Sequence, residues 1–213
     1  MRTNAAANRV RFFGHLASIA LAIAAAVLTG GCTQSPPATG LPLNPPKGST
    51  APLAVPAPTV EILSWDQTQK RREEFHGKVV VLDVWSTYCD PCVREFPNLV
   101  ALQKRFGDKV RCISFDTDYS GAEREPADSF RKPVLAFLSK QGAAGLLNVI
   151  CSDPSEDFYN KIRLGGPPAV FVYDPSGKLV KRFDNSQVPK TPEFTYERDI
   201  VPLVEKLLAT GRS

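Results

Sequence analysis

Apolar positions in the second half of the chain fall into short runs whose period switches between that of a strand and that of a helix. Residues 79–85 (VVVLDVW) are almost continuously apolar, which predicts a strand buried on both faces. A polar turn follows. Val93, Phe96, Val100 and Phe106 then recur at helical spacing, with Gly107 as the stop and Pro97 as a predicted kink inside the helix. Residues 110–116 (VRCISFD) read as a second strand and 118–126 as a loop. Residues 127–140 place Phe130, Val134, Phe137 and Leu138 on one helical face. Strands are predicted over 146–151, 169–173 and 179–183, with a short helix over 156–162 and a turn at Asp174-Pro175-Ser176-Gly177. Val60, Ile62 and Trp65 form an extended lead-in, and 66–74 a helix or turn. Ile200, Val201, Val204, Leu207 and Leu208 make the apolar face of a terminal helix. Strands alternating with helices imply a mixed α/β sheet with helices on both faces.

The first 58 residues follow other rules. Arg9 and Arg11 precede an apolar run of 13 residues, 16–28, broken only by Ser18. A membrane span needs roughly 20, so residues 1–31 read as an export signal. The segment ends LTGGC, which resembles a bacterial lipoprotein signal with Cys32 as the lipid-bearing residue. It departs from that pattern in placing Leu28 four residues before Cys32 rather than three. Cleavage nearby and retention as a membrane anchor are the alternatives, and all three put the remainder outside the cytoplasm. Residues 32–58 are a tether: the 26 residues from 33 to 58 hold eight prolines and almost no charge, too little apolar surface to fold. The folded domain is expected over 59–213.

Charge narrows the function classes. The net charge is +4, and Arg2, Arg9 and Arg11 lie in the export segment, which leaves +1 for the rest. No basic field argues for nucleic acid. Five cysteines in 213 residues are too few for a disulfide scaffold, so their placement carries the information.

Cys89 and Cys92 stand three apart where the strand hands over to the helix, with Pro91 in the first helical turn. Unpaired N–H groups and the helix dipole there favour a thiolate on the first sulfur. Cys89 is therefore the expected nucleophile and Cys92 the resolving thiol of a thiol–disulfide oxidoreductase.

Three anchors in order, VVVLDVWSTYCDPCVREFP, GGPPAVFVYD and DPSGK, resemble the thioredoxin fold. In particular they resemble the exported thiol–disulfide oxidoreductases of the TlpA/ResA type, over about residues 60–208. The resemblance implies a mixed central sheet with an insertion between the second strand and the cis-proline strand. It implies that Pro168 is the cis-proline facing the disulfide and holding an extended substrate, with Pro167 a second candidate. Pro91 and Tyr88 fall on the substrate side, Tyr88 as a flat docking surface, while Trp85 is expected in the core. At Asp83 the family carries a group that moves a proton to or from the resolving thiol; the alternative is a carboxylate at the strand's end satisfied by backbone or water. Glu95 matches a glutamate beside the active site, or else is a solvated acid complementing the helix dipole. Asp90 puts negative charge next to Cys89, opposes the thiolate and points to a reductant rather than a strong oxidant.

The implied partners are client proteins with disulfides, a membrane thiol–disulfide electron donor, and the membrane itself through a lipid anchor. No cofactor is implied. Cys112 and Cys151 lie in predicted strands and are expected as inert buried thiols; the resemblance also leaves a disulfide between them open. The alternative function is a copper or zinc carrier using the same cysteine pair. Two thiolates fill only half of a tetrahedral zinc site, and neither His15 nor His76 is placed to complete it.

Overall fold

The expected strand over residues 79–85 forms as β2 (Val79–Trp85), and every one of its seven residues is buried. The computed structural model describes residues 56–184 and 193–210. The export segment, Cys32 and the tether up to residue 55 lie outside the described residues. Around β2 a six-stranded sheet is built from β1 (Glu61–Leu63), β3 (Val110–Asp116), β4 (Leu147–Cys151), β5 (Ala169–Tyr173) and β6 (Leu179–Asp184). The order across the sheet is β1-β4-β3-β2-β5-β6. The first four strands in that order run parallel, β5 pairs antiparallel with β2, and β6 pairs antiparallel with β5.

Alternation along β2 divides the core into two layers. Val79, Val81 and Trp85 face α2 (Asp90–Phe106), α3 (Arg131–Gln141) and α5 (Val201–Thr210), packing with Phe96, Leu99, Val134, Leu138 and Val204. Val80, Leu82 and Val84 face the other way, onto α1 (Trp65–Glu73) and α4 (Ser155–Ile162), where Phe158 and Trp65 close the layer. Trp85 is a core residue, its ring centroid 4.9 Å from Phe96 and 4.7 Å from Phe137. Residues 66–74, left as helix or turn by their polarity, are helix up to Glu73, with Ser64 as the cap. Its hydroxyl accepts the Gln67 N–H at 3.2 Å, and its own N–H donates to the Gln67 side chain at 2.8 Å.

Two helices start differently from the apolar pattern. The expected helix from residue 127 opens with a 3-10 turn over Ala127–Phe130, and α3 begins only at Arg131. Pro133 has no N–H for the Ser129 carbonyl, so an unbroken α-helix through this point would lose that bond and meet the ring. Pro202 acts similarly at the terminal helix, where a π-helical turn, Tyr196–Ile200, precedes α5. That turn brings Tyr196 into the core.

The pairing of Cys112 with Cys151 is not formed; both are buried free thiols. Their strands are neighbours, with Ile113 opposite Leu147, but the two residues stand five positions out of register and in different core layers. At ~3.3 Å per residue that offset is roughly 16 Å, far beyond a disulfide. A parallel sheet with β2 central, α2 at its head and an antiparallel pair beyond the cis-proline is the thioredoxin fold.

Candidate active site

The chain leaves β2 at Trp85, turns through Ser86, Thr87 and Tyr88, and enters α2 at its cap, Cys89. The turn is closed by the Cys89 N–H donating to the Ser86 carbonyl at 3.1 Å. Cys89 and Cys92 are joined as a disulfide with Cα atoms 5.2 Å apart. The Cys92 N–H points at the Cys89 sulfur, 3.3 Å away, so the first sulfur receives one of the helix's otherwise unpaired donors. Cys89 is half-buried and Cys92 is 4% exposed. An incoming disulfide can reach only the first.

Opposite this pair comes the loop before β5. The Pro167–Pro168 peptide is cis, and β5 begins at the next residue. Ala169 pairs with Val84 near the end of β2, which fixes the proline loop beside the disulfide. The two prolines face different spaces. Pro168 lines a cavity of about 50 Å³ with Cys92, Asp83, Glu95 and Tyr196. Pro167 lines an open depression with Cys89, Tyr88 and Pro91, reached also by Tyr159 from α4. Tyr88 stands 82% exposed at its rim.

Asp83 lies mid-strand, not at the strand's end, and is 5% exposed. The Tyr196 hydroxyl donates to its Oδ2 at 2.6 Å. Burial pushes its pKa up to about 7, the tyrosine hydrogen bond pulls it down, and the charge of Glu95 pushes it up. Glu95 is half-buried rather than freely solvated, and its Oε2 accepts the Tyr196 N–H at 3.2 Å. Tyr196 therefore bridges the two acids. Cys112 lies close enough for the Asp83 charge to add to the burial that drives its thiol upward.

Tyr196 and Asp118 were not singled out in the sequence. Tyr196 shares the i, i+4, i+8 spacing of Ile200 and Val204, which signals burial but not a partner. Asp118 sits in a stretch read as loop, where one more polar residue carries no signal. The copper or zinc alternative needs ligands beyond the two sulfurs; among the described residues no group of three or more His, Cys, Asp or Glu side chains gathers.

Residues 53–182, more than half of the chain, match the AhpC/TSA family. The chain belongs to the AhpC/TSA family. It is similar to thioredoxin-like protein YneN of Bacillus subtilis, 26% identical over 100 residues, which are 44% of this chain and 58% of that protein. It is also similar to thiol-disulfide oxidoreductase ResA of Bacillus thuringiensis, 24% identical over 147 residues, 68% of this chain and 77% of the relative. Among solved structures, a thiol-disulfide isomerase from Corynebacterium glutamicum is 20% identical over 65% of this chain and 85% of its own, with a TM-score of 0.47. Within the AhpC/TSA family this chain is a thioredoxin-like thiol–disulfide oxidoreductase, with a Cys-x-x-Cys disulfide at the head of α2.

Proposed function

We propose that the protein reduces disulfides of client proteins outside the cytoplasm. The observation that carries this reading is the asymmetry of the pair: an accessible sulfur at the helix cap, joined to one buried a turn further in. In the reduced state the Cys89 thiolate attacks one sulfur of a client disulfide. A mixed disulfide forms, and the client's other sulfur leaves as a thiolate. Cys92 then loses its proton, attacks the Cys89 sulfur and displaces the second client sulfur. Two electrons have passed to the client, and Cys89–Cys92 is oxidised.

Asp83 is the group assigned to take the Cys92 proton, since both line one small cavity and an acid near pH 7 exchanges protons at working pH. Glu95 sets the charge beside it. Pro168 and Pro167 flank the disulfide and support an extended client backbone, while Tyr88 and Pro91 provide docking surface on the Cys89 side. The exposed Asp90 opposes the Cys89 thiolate and favours a reducing couple.

Export by residues 1–31, lipid attachment at Cys32 and the tether 32–58 would hold the domain at the outer face of a bacterial membrane. A membrane thiol–disulfide relay would restore the dithiol there. Among the described residues no helix is long and apolar enough to cross a membrane.

A Cys92→Ser variant tests the reaction. It is expected to accumulate mixed disulfides with a disulfide-bonded client, and the wild type to release free thiols from oxidised insulin. The absence of both trapping and thiol release would sink the reading. A measured potential as oxidising as about −120 mV would reverse the direction.

A further inference from the structure

The turn that presents Cys89 is held from below by a carboxylate. Asp118, two residues beyond β3, is 8% exposed. Its Oδ1 accepts the Ser86 hydroxyl at 2.7 Å and the Thr87 N–H at 2.9 Å, and its Oδ2 accepts the Thr87 hydroxyl at 2.6 Å. Ser86 passes the restraint on: its Oγ accepts the Tyr88 N–H at 3.1 Å, and its carbonyl the Cys89 N–H at 3.1 Å. Thr117 locks the other side, its N–H and hydroxyl both donating to the Trp85 carbonyl at 2.9 Å. Every residue from Trp85 to Cys89 is thus tied, directly or through one neighbour, to the segment carrying Asp118.

We propose that Asp118 is the positioning residue of the Cys89 turn, and that its buried charge makes the Cys89–Cys92 couple more reducing than the helix terminus alone would set. The inference rests on the thiol–disulfide reading. Asp118 is itself buried and lines the same open depression as Cys89, so its carboxylate bears on the sulfur from the wall of that depression. The other titratable or charged groups facing Asp118 are Asp116 behind it, Asp90 at the start of α2, Tyr88 at the rim and Tyr159 from α4; no lysine or arginine lines that depression. Asp116 is fully buried, with one oxygen on the Asp118 N–H and the other without a hydrogen-bond partner. Burial and the neighbouring Asp118 push the Asp116 carboxyl well above the ordinary carboxylate range. A negative charge beside Cys89 disfavours its thiolate, and a less stabilised reduced state means a stronger reductant.

The test is the redox equilibrium of the whole protein with glutathione, read beside the pH titration of the Cys89 thiolate. Asp118→Asn keeps an acceptor for the turn but removes the charge. It should shift the equilibrium about tenfold toward the dithiol, roughly 30 mV, and lower the pH at which Cys89 ionises. Thr87→Val removes a donor that neutralises the carboxylate and should move both readouts the opposite way. An unchanged equilibrium in Asp118→Asn, or both variants moving together, reduces Asp118 to scaffold and overturns the proposal. If Asp118→Asn does not fold, Thr87→Val decides alone, and a couple unmoved or less reducing overturns it. A wild-type pair that never exchanges with glutathione would instead refute the thiol–disulfide reading itself.

Discussion

The Tyr196 hydroxyl sits 2.6 Å from Asp83, across 113 positions of sequence, and donates the hydrogen bond that limits how far burial raises that carboxyl. With the tyrosine in place, Asp83 titrates at about 7. Tyr196→Phe removes the donor and leaves the ring. The Asp83 pKa should rise by roughly one unit, the equivalent of ~1.4 kcal/mol of lost carboxylate stabilisation. The resolving step, measured as decay of a preformed mixed disulfide against pH, should shift to the alkaline side by the same amount. A profile that stays in place would show that Asp83 is not the proton acceptor.

Glu95 supplies the opposite lever. Its charge raises the Asp83 pKa, and its Oε2 holds the Tyr196 N–H. Glu95→Gln keeps an oxygen for that N–H and deletes the charge, so the same profile should move to the acid side. The shift is expected to be smaller than that of Tyr196→Phe, because the charge of Glu95 acts on Asp83 more weakly than the tyrosine hydrogen bond does. A shift in the same direction as Tyr196→Phe would mean that Glu95 acts through packing rather than charge.

Asp83 also makes stability depend on pH. Between its ordinary value of 3.8 and about 7, folded Asp83 keeps a proton that the unfolded chain has released. Stability therefore falls as pH rises through that window and stays at the lower level above it. The full difference is on the order of 4 kcal/mol. Asp83→Asn keeps an oxygen for the Tyr196 hydroxyl and has nothing to ionise. It should unfold at higher denaturant than the wild type at pH 8, with the gap closing toward pH 4, while its resolving step slows. A gap independent of pH would place the titrating group elsewhere.

The parts of this site that the sequence displayed are those encoded by neighbours along the chain. β2 is legible because both faces are buried, which leaves a continuous apolar run; the head of α2 is legible because Pro91 and the cysteine spacing mark a helix start. The cis bond before Pro168 came only through resemblance, since a Pro-Pro pair has no local pattern that dictates it. Tyr196 and Asp118 stayed hidden because their meaning lies in partners 113 and about 32 positions away. Hydrophobic period cannot report a hydrogen bond between distant segments. The late start of α5 had a local cause, Pro202, but which side chain the π-helical turn would bury depended on the cavity beneath it.

Cys112 and Cys151 provide a check on the core itself. Both lie fully buried, and burial pushes the Cys151 thiol up to about 12 and the Cys112 thiol higher still. Neither forms a thiolate at neutral pH, and neither can meet a reagent without the sheet opening. In a variant with Cys32, Cys89 and Cys92 all changed to serine, alkylation of the folded protein should be slow and should reach two thiols per chain only in denaturant. The count should be two with or without prior reduction. Two thiols appearing only after reduction would mean that the cysteines pair, which would require β3 and β4 to slide five residues out of the register seen here.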